Sequence, residues 1–174
     1  VSSIEEMHVL AVAHAAKGHC LLKGHINKTL DKESRAGSTD SYTYTELVCL
    51  DIDGLKVSAT NAKDAIQEIL RKLKLDNIDH LVQLSSSQLT LNTATINAHV
   101  FLLCESISPG QLKLWLKQLN LDLYRDDLAL TKSKSALRWG LDITTCQNDK
   151  LLYIAPPVCN PSDLDHIPPE DRIY

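Results

Sequence analysis

The stretch Leu47-Val48-Cys49-Leu50-Asp51-Ile52-Asp53-Gly54 decides how this chain is interpreted, because it joins an apolar run to two carboxylates. The apolar run predicts a buried strand, and Asp53-Gly54 predicts a turn at its end. Asp51 and Asp53 are two positions apart, so alternation along a strand directs both carboxylates to one face. Carboxylates are rarely left in an apolar strand unless they are paired or bind a metal, and two oxygen donors aimed at one point suit Mg²⁺. A plain Asp-Gly turn is the alternative.

Helices and strands alternate on the C-terminal side of this stretch. Their order is β-α-β-β-α-β, which is the split βαβ or ferredoxin-like unit also used by RNA-recognition folds. The predicted class is therefore α+β, with an antiparallel sheet in the spatial order 4-1-3-2. The predicted elements are a strand at 47–54, a helix capped by Asn61, strands at 80–84 and 96–104, a helix opened by Ser108-Pro109, and a strand at 137–144.

Additional elements flank this core. Ser3-Ile4-Glu5-Glu6 predicts a capping box and a helix to about Lys17, and residues 31–45 form a polar loop. A further strand is predicted at 150–154, followed by a proline-rich acidic segment. We therefore expect one domain over residues 1–160, made of a helical and loop element (1–45) and the core (46–157), and then a tail or linker at 158–174.

Composition bounds the class of protein. The chain has 174 residues, with 18 Lys+Arg against 22 Asp+Glu and a net charge of −4. This is ordinary globular composition, and no apolar run approaches the roughly 18 residues of a membrane span. The acidic balance argues against a protein that coats nucleic acid by bulk charge, but not against an enzyme with a local basic groove.

Cysteine usage bears on the compartment. Five cysteines, none close to another, predict reduced thiols in the cytosol. His14, His19, Cys20 and His25 match no strong zinc spacing.

The predicted topology gathers polar residues that are far apart in sequence. The strand with Asp51 and Asp53 is central, with the strand of His99 on one side and that of Asp142 on the other. An imidazole there suits a contact to a phosphate oxygen or a proton transfer, although a lone strand histidine is more often structural. Ser85-Ser86-Ser87 offers donors to phosphates, or is simply a serine-rich turn.

Taken together, the ordered motifs resemble the archaeo-eukaryotic primase superfamily, and most closely the primase-polymerases of phages and mobile elements. Each motif is weak alone, and their order within the βαββαβ frame makes the combination more specific. They span about residues 20–157: Leu22-Lys23-Gly24, Glu33-Ser34-Arg35-Ala36-Gly37, Leu50-Asp51-Ile52-Asp53-Gly54, Ser85-Ser86-Ser87, Ala98-His99-Val100-Phe101, Leu141-Asp142-Ile143, and residues 149–157.

The resemblance implies a function and roles for these residues. It implies template-directed nucleotidyl transfer on single-stranded DNA from NTPs or dNTPs, with Mg²⁺ or Mn²⁺ as cofactor. A fused or associated helicase as partner, no membrane association, and a bacterial or phage-infected cytoplasm are implied as well. The residues concerned fall into two groups. Asp51, Asp53 and Asp142 correspond to the catalytic metal ligands, and His99, Ser85, Ser86, Ser87, Arg35, Lys150 and Lys23 to nucleotide or template contacts.

The sequence departs from the family pattern in two respects. A long hairpin separates Ser87 from His99, whereas the family motif keeps a small polar residue close to its histidine. The third acid is ambiguous, because Asp122, Asp126 and Asp127 compete with Asp142 for that place.

Two other functions are alternatives. Leu50-Asp51-Ile52-Asp53-Gly54 also looks like the nucleophile motif of haloacid-dehalogenase phosphatases, with Lys132 as the basic residue and Asp126-Asp127 as metal acids. That family needs a doubly wound parallel sheet. The other alternative is a non-catalytic RNA-recognition-like binder, which would carry aromatic residues on its central strands. The chain has a single Phe, Phe101, and the strand of Asp51 has no aromatic residue.

Overall fold

The computed structural model describes residues 1–35, 37–39, 42–131, 133–160 and 164–174 of the chain. Two residues named above, Ala36 and Lys132, lie outside these ranges. The described part is a mixed α+β structure whose strands pair antiparallel. Its helices are α1 (Ile4–Ala15), α2 (Ala62–Leu73), α3 (Pro109–Leu123) and α4 (Pro169–Arg172). Its strands are β1 (Cys20–Leu22), β2 (Thr45–Lys56), β3 (His80–Leu84), β4 (Thr95–Ile107), β5 (Ala129–Leu130), β6 (Leu137–Arg138) and β7 (Leu151–Tyr153).

The main sheet has the strand order β2-β4-β3, as predicted for three of the four core strands. The prediction of a fourth core strand at residues 137–144 is wrong. The first residues of this segment form β6, which pairs with β5 in a separate hairpin, and only Leu141 bridges β2, opposite Ile52. The segment leaves the sheet there because Asp142 caps a 3-10 turn, Ile143–Cys146, by accepting a hydrogen bond from the Thr144 N–H at 2.8 Å.

Strand β2 also differs from its prediction at the C-terminal end. Asp53-Gly54 is not a turn, since the strand continues to Lys56. A bulge between Asp53 and Leu55 absorbs one residue, and Gly54 takes a positive φ of 69° that a side chain would strain. The bulge changes the strand's pairing with β4 directly after the second carboxylate.

Helix starts follow their local signals. Asn61 and Ser108 cap α2 and α3 through side-chain oxygens that accept from backbone N–H groups, as predicted. Ser3 caps α1 in the same way. The reciprocal half of its predicted capping box is absent from the described contacts, because the Glu6 carboxylate accepts from Ser2 instead.

The main sheet is covered on both faces. Leu50, Ile52 and Val100 point to one side and pack in a core with α2 and α3. Cys49 and Phe101 point to the other side and pack against α1 and the small β1-β7 sheet. Asp51 and His99 lie on this second face, beyond its apolar part, because side chains alternate along each strand.

The C-terminal segment, predicted as a tail or linker, contributes to the core. Ile173 bridges Gln83 on β3, and Tyr174 exchanges two backbone hydrogen bonds with Val82. The buried Arg172 donates to the backbone carbonyls of Leu84 and neighbouring residues. The last residues thereby cover the edge of the main sheet.

The cysteines and the helices bear on two expectations from the sequence, reduced thiols and no membrane span. All five cysteines are free thiols, and Cys49 is buried whereas Cys104 is exposed. Within the described ranges, no helix combines the length and apolar character needed to cross a bilayer.

Candidate active site

A row of polar residues crosses the main sheet. Asp51 lies opposite His99 on β4, and His99 lies opposite Gln83 on β3. On the outer side of β2, the Asp142 N–H donates to the Asp51 carbonyl oxygen at 2.8 Å, next to the Ile52–Leu141 bridge. Directly opposed residues of antiparallel strands present their side chains on the same face. Asp142, Asp51, His99 and Gln83 therefore line up across four segments of the chain.

This row lies beside a cavity of about 490 Å³. Seven of the ten residues predicted for the site line it, although they come from two strands and two loops. They are Asp51, Asp53, Asp142, His99, Ser85, Ser86 and Ser87. Arg138, Trp139 and Tyr153 form part of the remaining wall, and none of the three is among the predicted site residues.

His99 is held between two oxygen atoms. Its Nδ1 lies 2.6 Å from Gln83 Oε1, and its Nε2 lies 3.4 Å from Asp51 Oδ1. The imidazole is buried, with 9% of its side chain exposed, while Asp51 keeps 22%. The histidine is thus both a structural member of the sheet and a wall of the cavity.

Arg138 on β6 pairs with Asp53. Its Nη2 donates to Asp53 Oδ1 at 3.1 Å, and its Nε donates to Oδ2 at 3.2 Å, so the guanidinium binds the carboxylate in a bidentate manner. Both side chains are about half exposed, so this is a surface ion pair that contributes little to the free energy of unfolding. The β5-β6 hairpin is thereby tethered at the mouth of the cavity.

Asp142 has the densest set of partners among the three carboxylates. Lys150 Nζ donates to its Oδ2 at 3.0 Å, and the Thr144 hydroxyl and N–H donate at 2.6 and 2.8 Å. Burial alone would raise the pKa of Asp142, but the hydrogen bonds from Thr144 and then Lys150 outweigh it and lower the pKa below its ordinary value. Asp142 therefore stays ionised at a lower pH than an ordinary aspartate does.

Asn120 on α3 secures the segment that carries Asp142. Its Nδ2 donates to the Leu141 carbonyl oxygen at 2.9 Å, and its Oδ1 accepts from the Leu141 N–H at 3.0 Å. This fully buried amide satisfies both backbone groups of Leu141 on the side facing away from β2. Leu112, Leu116 and Asn120 share one face of α3 at spacings of four residues, so an asparagine on a buried face was the signal available in the sequence.

The serines lie at the end of β3, on the rim of the cavity. The hydroxyls of Ser85 and Ser87 are 2.8 Å apart, and the Ser87 N–H donates to the Ser85 hydroxyl. The Ser85 N–H donates to the Asn97 carbonyl oxygen, which joins this turn to β4 two residues before His99. The long hairpin thus returns Ser85 to the neighbourhood of His99 despite their separation in sequence.

The three predicted basic contacts lie outside this cavity. Lys23 is buried, and its Nζ donates to the carbonyl oxygens of Thr145 and Cys146 at 2.9 and 3.0 Å. Desolvation lowers the pKa of its ammonium. Because its donors face the 3-10 turn, Lys23 supports the segment after Asp142, and the prediction that it contacts a nucleotide does not fit its position.

Arg35 and Lys150 line a smaller cavity of about 190 Å³. The Arg35 Nε donates to the Asp149 carbonyl oxygen at 2.8 Å. Lys150 connects the two cavities, because its Nζ also reaches Asp142. Lys150 therefore lies next to the main cavity without lining it, whereas Arg35 lines the smaller cavity.

The competing acids are placed differently from Asp142. Asp122 lies on α3, where its carboxylate accepts from Gln118 at 2.8 Å. Asp126 and Asp127 line a separate cavity of about 280 Å³, which shares Asp53 with the main one. Of these acids, Asp142 is the one that lines the cavity with Asp51.

The carboxylates fit a divalent ion by their chemistry. Three ionisable oxygen donors around one cavity suit Mg²⁺ or Mn²⁺, which take carboxylates together with water and phosphate oxygens. Across the described ranges, no three His, Cys, Asp or Glu side chains are close enough to hold an ion by themselves. Arg138 and Lys150 pair with two of the three carboxylates, so a bound ion has to compete with these cations.

No family model, curated protein or solved structure matches this chain. The case for a function therefore rests on the residues of the site and their arrangement. The antiparallel pairing of the main sheet counts against the phosphatase alternative, which needs a doubly wound parallel sheet.

Proposed function

We propose that this chain is a metal-dependent, template-directed nucleotidyltransferase of the primase-polymerase type, acting on single-stranded DNA with NTPs or dNTPs. The observation that carries the proposal is the row of Asp142, Asp51 and His99 beside a cavity that also exposes Asp53. This combination offers carboxylates for divalent ions and, within the same cavity, an imidazole and hydroxyls for a triphosphate.

In the proposed reaction, the 3′-hydroxyl oxygen of a primer or initiating nucleotide bonds to the α-phosphorus of an incoming nucleotide. The bond from that phosphorus to the β-phosphate oxygen breaks, pyrophosphate leaves, and the hydroxyl proton passes to solvent or a nearby base. The protein's share is to position the reactants and to stabilise charge on the phosphates. His99 Nε2 and the serine hydroxyls are the groups assigned to the triphosphate.

Asp51, Asp53 and Asp142 are the residues assigned to divalent ions. When bound, such ions supply positive charge next to the attacking and leaving oxygens of an in-line displacement. To hold an ion, Asp53 would have to give up its contact with Arg138, and the released guanidinium would then be available to a phosphate. In the same way, Asp142 would have to give up its contact with Lys150 to hold an ion, and the Lys150 ammonium would then be available to a phosphate.

The partners proposed with this function are a single-stranded DNA template and a fused or associated helicase. Lys150 and Arg35, which line the smaller cavity, are the candidates for contacts to the nucleotide or template backbone. An acidic chain of this kind binds DNA weakly by bulk charge, so we expect affinity for the template to be low and salt-dependent.

The experiment that tests the proposal is nucleotide incorporation on single-stranded DNA, primed and unprimed, with Mg²⁺ or Mn²⁺. The Asp51→Ala variant is expected to lose incorporation while keeping its fold. Asp76→Ala, which removes an exposed carboxylate beyond α2, is the matched control and is expected to keep activity. Full activity of Asp51→Ala, or no activity of the wild-type chain under any of these conditions, refutes the proposal.

A second measurement addresses the histidine. His99→Ala is expected to weaken nucleotide binding more than template binding, because His99 is assigned to the triphosphate. Titration of each variant with a nucleotide and with a DNA oligomer separates the two effects. Unchanged nucleotide affinity would remove His99 from that role.

A further inference from the structure

We propose that Gln83 is a positioning residue, which holds the proton of the His99 ring on Nδ1 and directs Nε2 into the cavity. Neither the motifs nor the assigned site residues include this glutamine. It is a fully buried polar side chain in an apolar strand, His80–Leu84, where nothing but a specific hydrogen-bonding role offsets the cost of burying an amide.

The orientation of the Gln83 amide follows from its two contacts. Its Nε2 donates to the carbonyl oxygen of Leu84, and its Oε1 faces His99 Nδ1 at 2.6 Å. The reversed amide would bring its oxygen against the Leu84 carbonyl oxygen, two acceptors with no proton between them. Oε1 is therefore the atom that faces the ring, and it can only accept, so Nδ1 carries the proton.

The backbone around Gln83 leaves little freedom for another arrangement. Gln83 is paired with His99 of β4 on one side and bridged to Ile173 on the other, so its backbone is flanked at both edges. Neighbouring Val82 exchanges two hydrogen bonds with Tyr174. The backbone that carries the Gln83 side chain is thus held by the C-terminal segment, which gives that segment a role at the site.

With the Nδ1 proton committed, Nε2 is the ring nitrogen left for other partners. It lies 3.4 Å from Asp51 Oδ1, beyond the usual length of a hydrogen bond, at the wall of the cavity. The tautomer itself does not depend on the proposed function. In the neutral ring Nε2 is an acceptor, so it donates to a triphosphate oxygen only from the doubly protonated ring, in which Nδ1 still donates to Gln83. This use of Nε2 rests on the proposed function.

The test is ¹⁵N NMR of protein labelled at histidine, recorded at a pH where neutral imidazole predominates. His99→Gln assigns the His99 signals among the seven histidines. The wild-type chain is expected to show a protonated Nδ1 and a non-protonated Nε2. Gln83→Met, which removes the acceptor at similar volume, is expected to lose the protonated Nδ1 signal, and Gln83→Glu is expected to retain it because a carboxylate also accepts.

The matched control is Gln88→Met. Gln88 is another buried glutamine in the same hairpin, and it binds the Asn97 and Thr90 backbones rather than the His99 ring. We expect this variant to leave the His99 signals unchanged. A wild-type ring protonated on Nε2 alone, or a Gln83→Met variant with the wild-type pattern, overturns the inference. The wild-type spectrum decides even where Gln83→Met does not fold.

Activity assays then separate this inference from the proposed function. If the chain transfers nucleotides, Gln83→Met is expected to raise the nucleotide KM by about tenfold, the lower end of what loss of a histidine's orienting partner costs, and Gln83→Glu is expected to restore it. A protonated Nδ1 in a chain without transferase activity refutes the function and leaves the tautomer assignment standing. An active chain with a proton on Nε2 alone refutes the tautomer assignment and leaves the function standing.

Discussion

Replacing Asn120 with leucine tests how the segment carrying Asp142 is held beside β2. The change keeps the volume of a fully buried side chain but removes the hydrogen bonds to both backbone groups of Leu141. Each buried backbone group left without a partner costs about 1–3 kcal/mol. We expect a loss of about 3 kcal/mol in the free energy of unfolding, since local rearrangement recovers part of the sum.

Urea denaturation and thermal melting measure this loss. A loss of about 3 kcal/mol corresponds to a decrease in Tm of about 6–12 °C for a domain of this size. Gln118→Leu is the matched control, because Gln118 is exposed on the same helix and binds only Asp122 among the described contacts. Its expected change is within about 0.5 kcal/mol.

The same variant has an expected effect on the proposed activity. Freed from Asn120, Leu141 no longer fixes Asp142 opposite Asp51, so incorporation should decrease even at temperatures where the variant remains folded. A loss of stability below about 1 kcal/mol, equal to that of the control within error, would refute the structural reasoning. Full activity in a destabilised but folded variant would refute the link to Asp142.

Three further predictions concern the carboxylates of the site. Arg138→Ala should change the free energy of unfolding by less than about 1 kcal/mol, because its pair with Asp53 is half exposed; a larger loss in urea titrations would contradict this. Asp142 has a folded-state pKa below its unfolded value of about 3.9, so its stabilisation is complete above that pH and is lost as the pH falls through the folded-state pKa. Asp142→Asn should therefore flatten the stability curve below about pH 4, and an unchanged acid limb would count against the assigned contacts. Gly54→Ala should destabilise by about 1–3 kcal/mol in thermal melts, since a Cβ there combines a positive φ with a 2.8 Å approach to the Arg138 guanidinium; a neutral result would contradict the bulge geometry.

The sequence predicted those parts of the fold that depend on local signals. Asn61 and Ser108 are capping residues whose side chains act within three residues, and both caps formed as expected. Strand β3 matches its predicted range, and the strand order β2-β4-β3 follows from the order of elements along the chain.

Long-range contacts explain what the sequence could not predict. Residues 137–144 have the alternation of a strand, but Gly140, the cap formed by Asp142 and the amide of Asn120 reduce the pairing of this segment with β2 to one bridge. Lys23 looks like a surface base in a short motif, and only the fold shows that it lies under the 3-10 turn. Arg138 and Gln83 were missed because their partners are distant in sequence.

The spatial grouping of four predicted site residues is where the prediction and the structure agree most closely. Asp51, Asp53, His99 and Asp142 were grouped from topology alone, and they do line one cavity. The pairing of each with another charged or polar side chain could not be predicted, because it depends on side-chain positions around the bulge and the 3-10 turn.

Binding of Mn²⁺ in the presence of a nucleoside triphosphate tests the central claim most directly, because it follows the proposed metal and nucleotide site without requiring turnover. Titration followed by electron paramagnetic resonance is expected to show Mn²⁺ bound to the wild-type chain with the nucleotide, and at least a tenfold weaker affinity in Asp51→Asn, in line with the loss of a direct ligand. Asp76→Asn should bind as the wild-type chain does. Equal binding by the wild-type and Asp51→Asn chains would contradict the assignment of this row as the metal and nucleotide site.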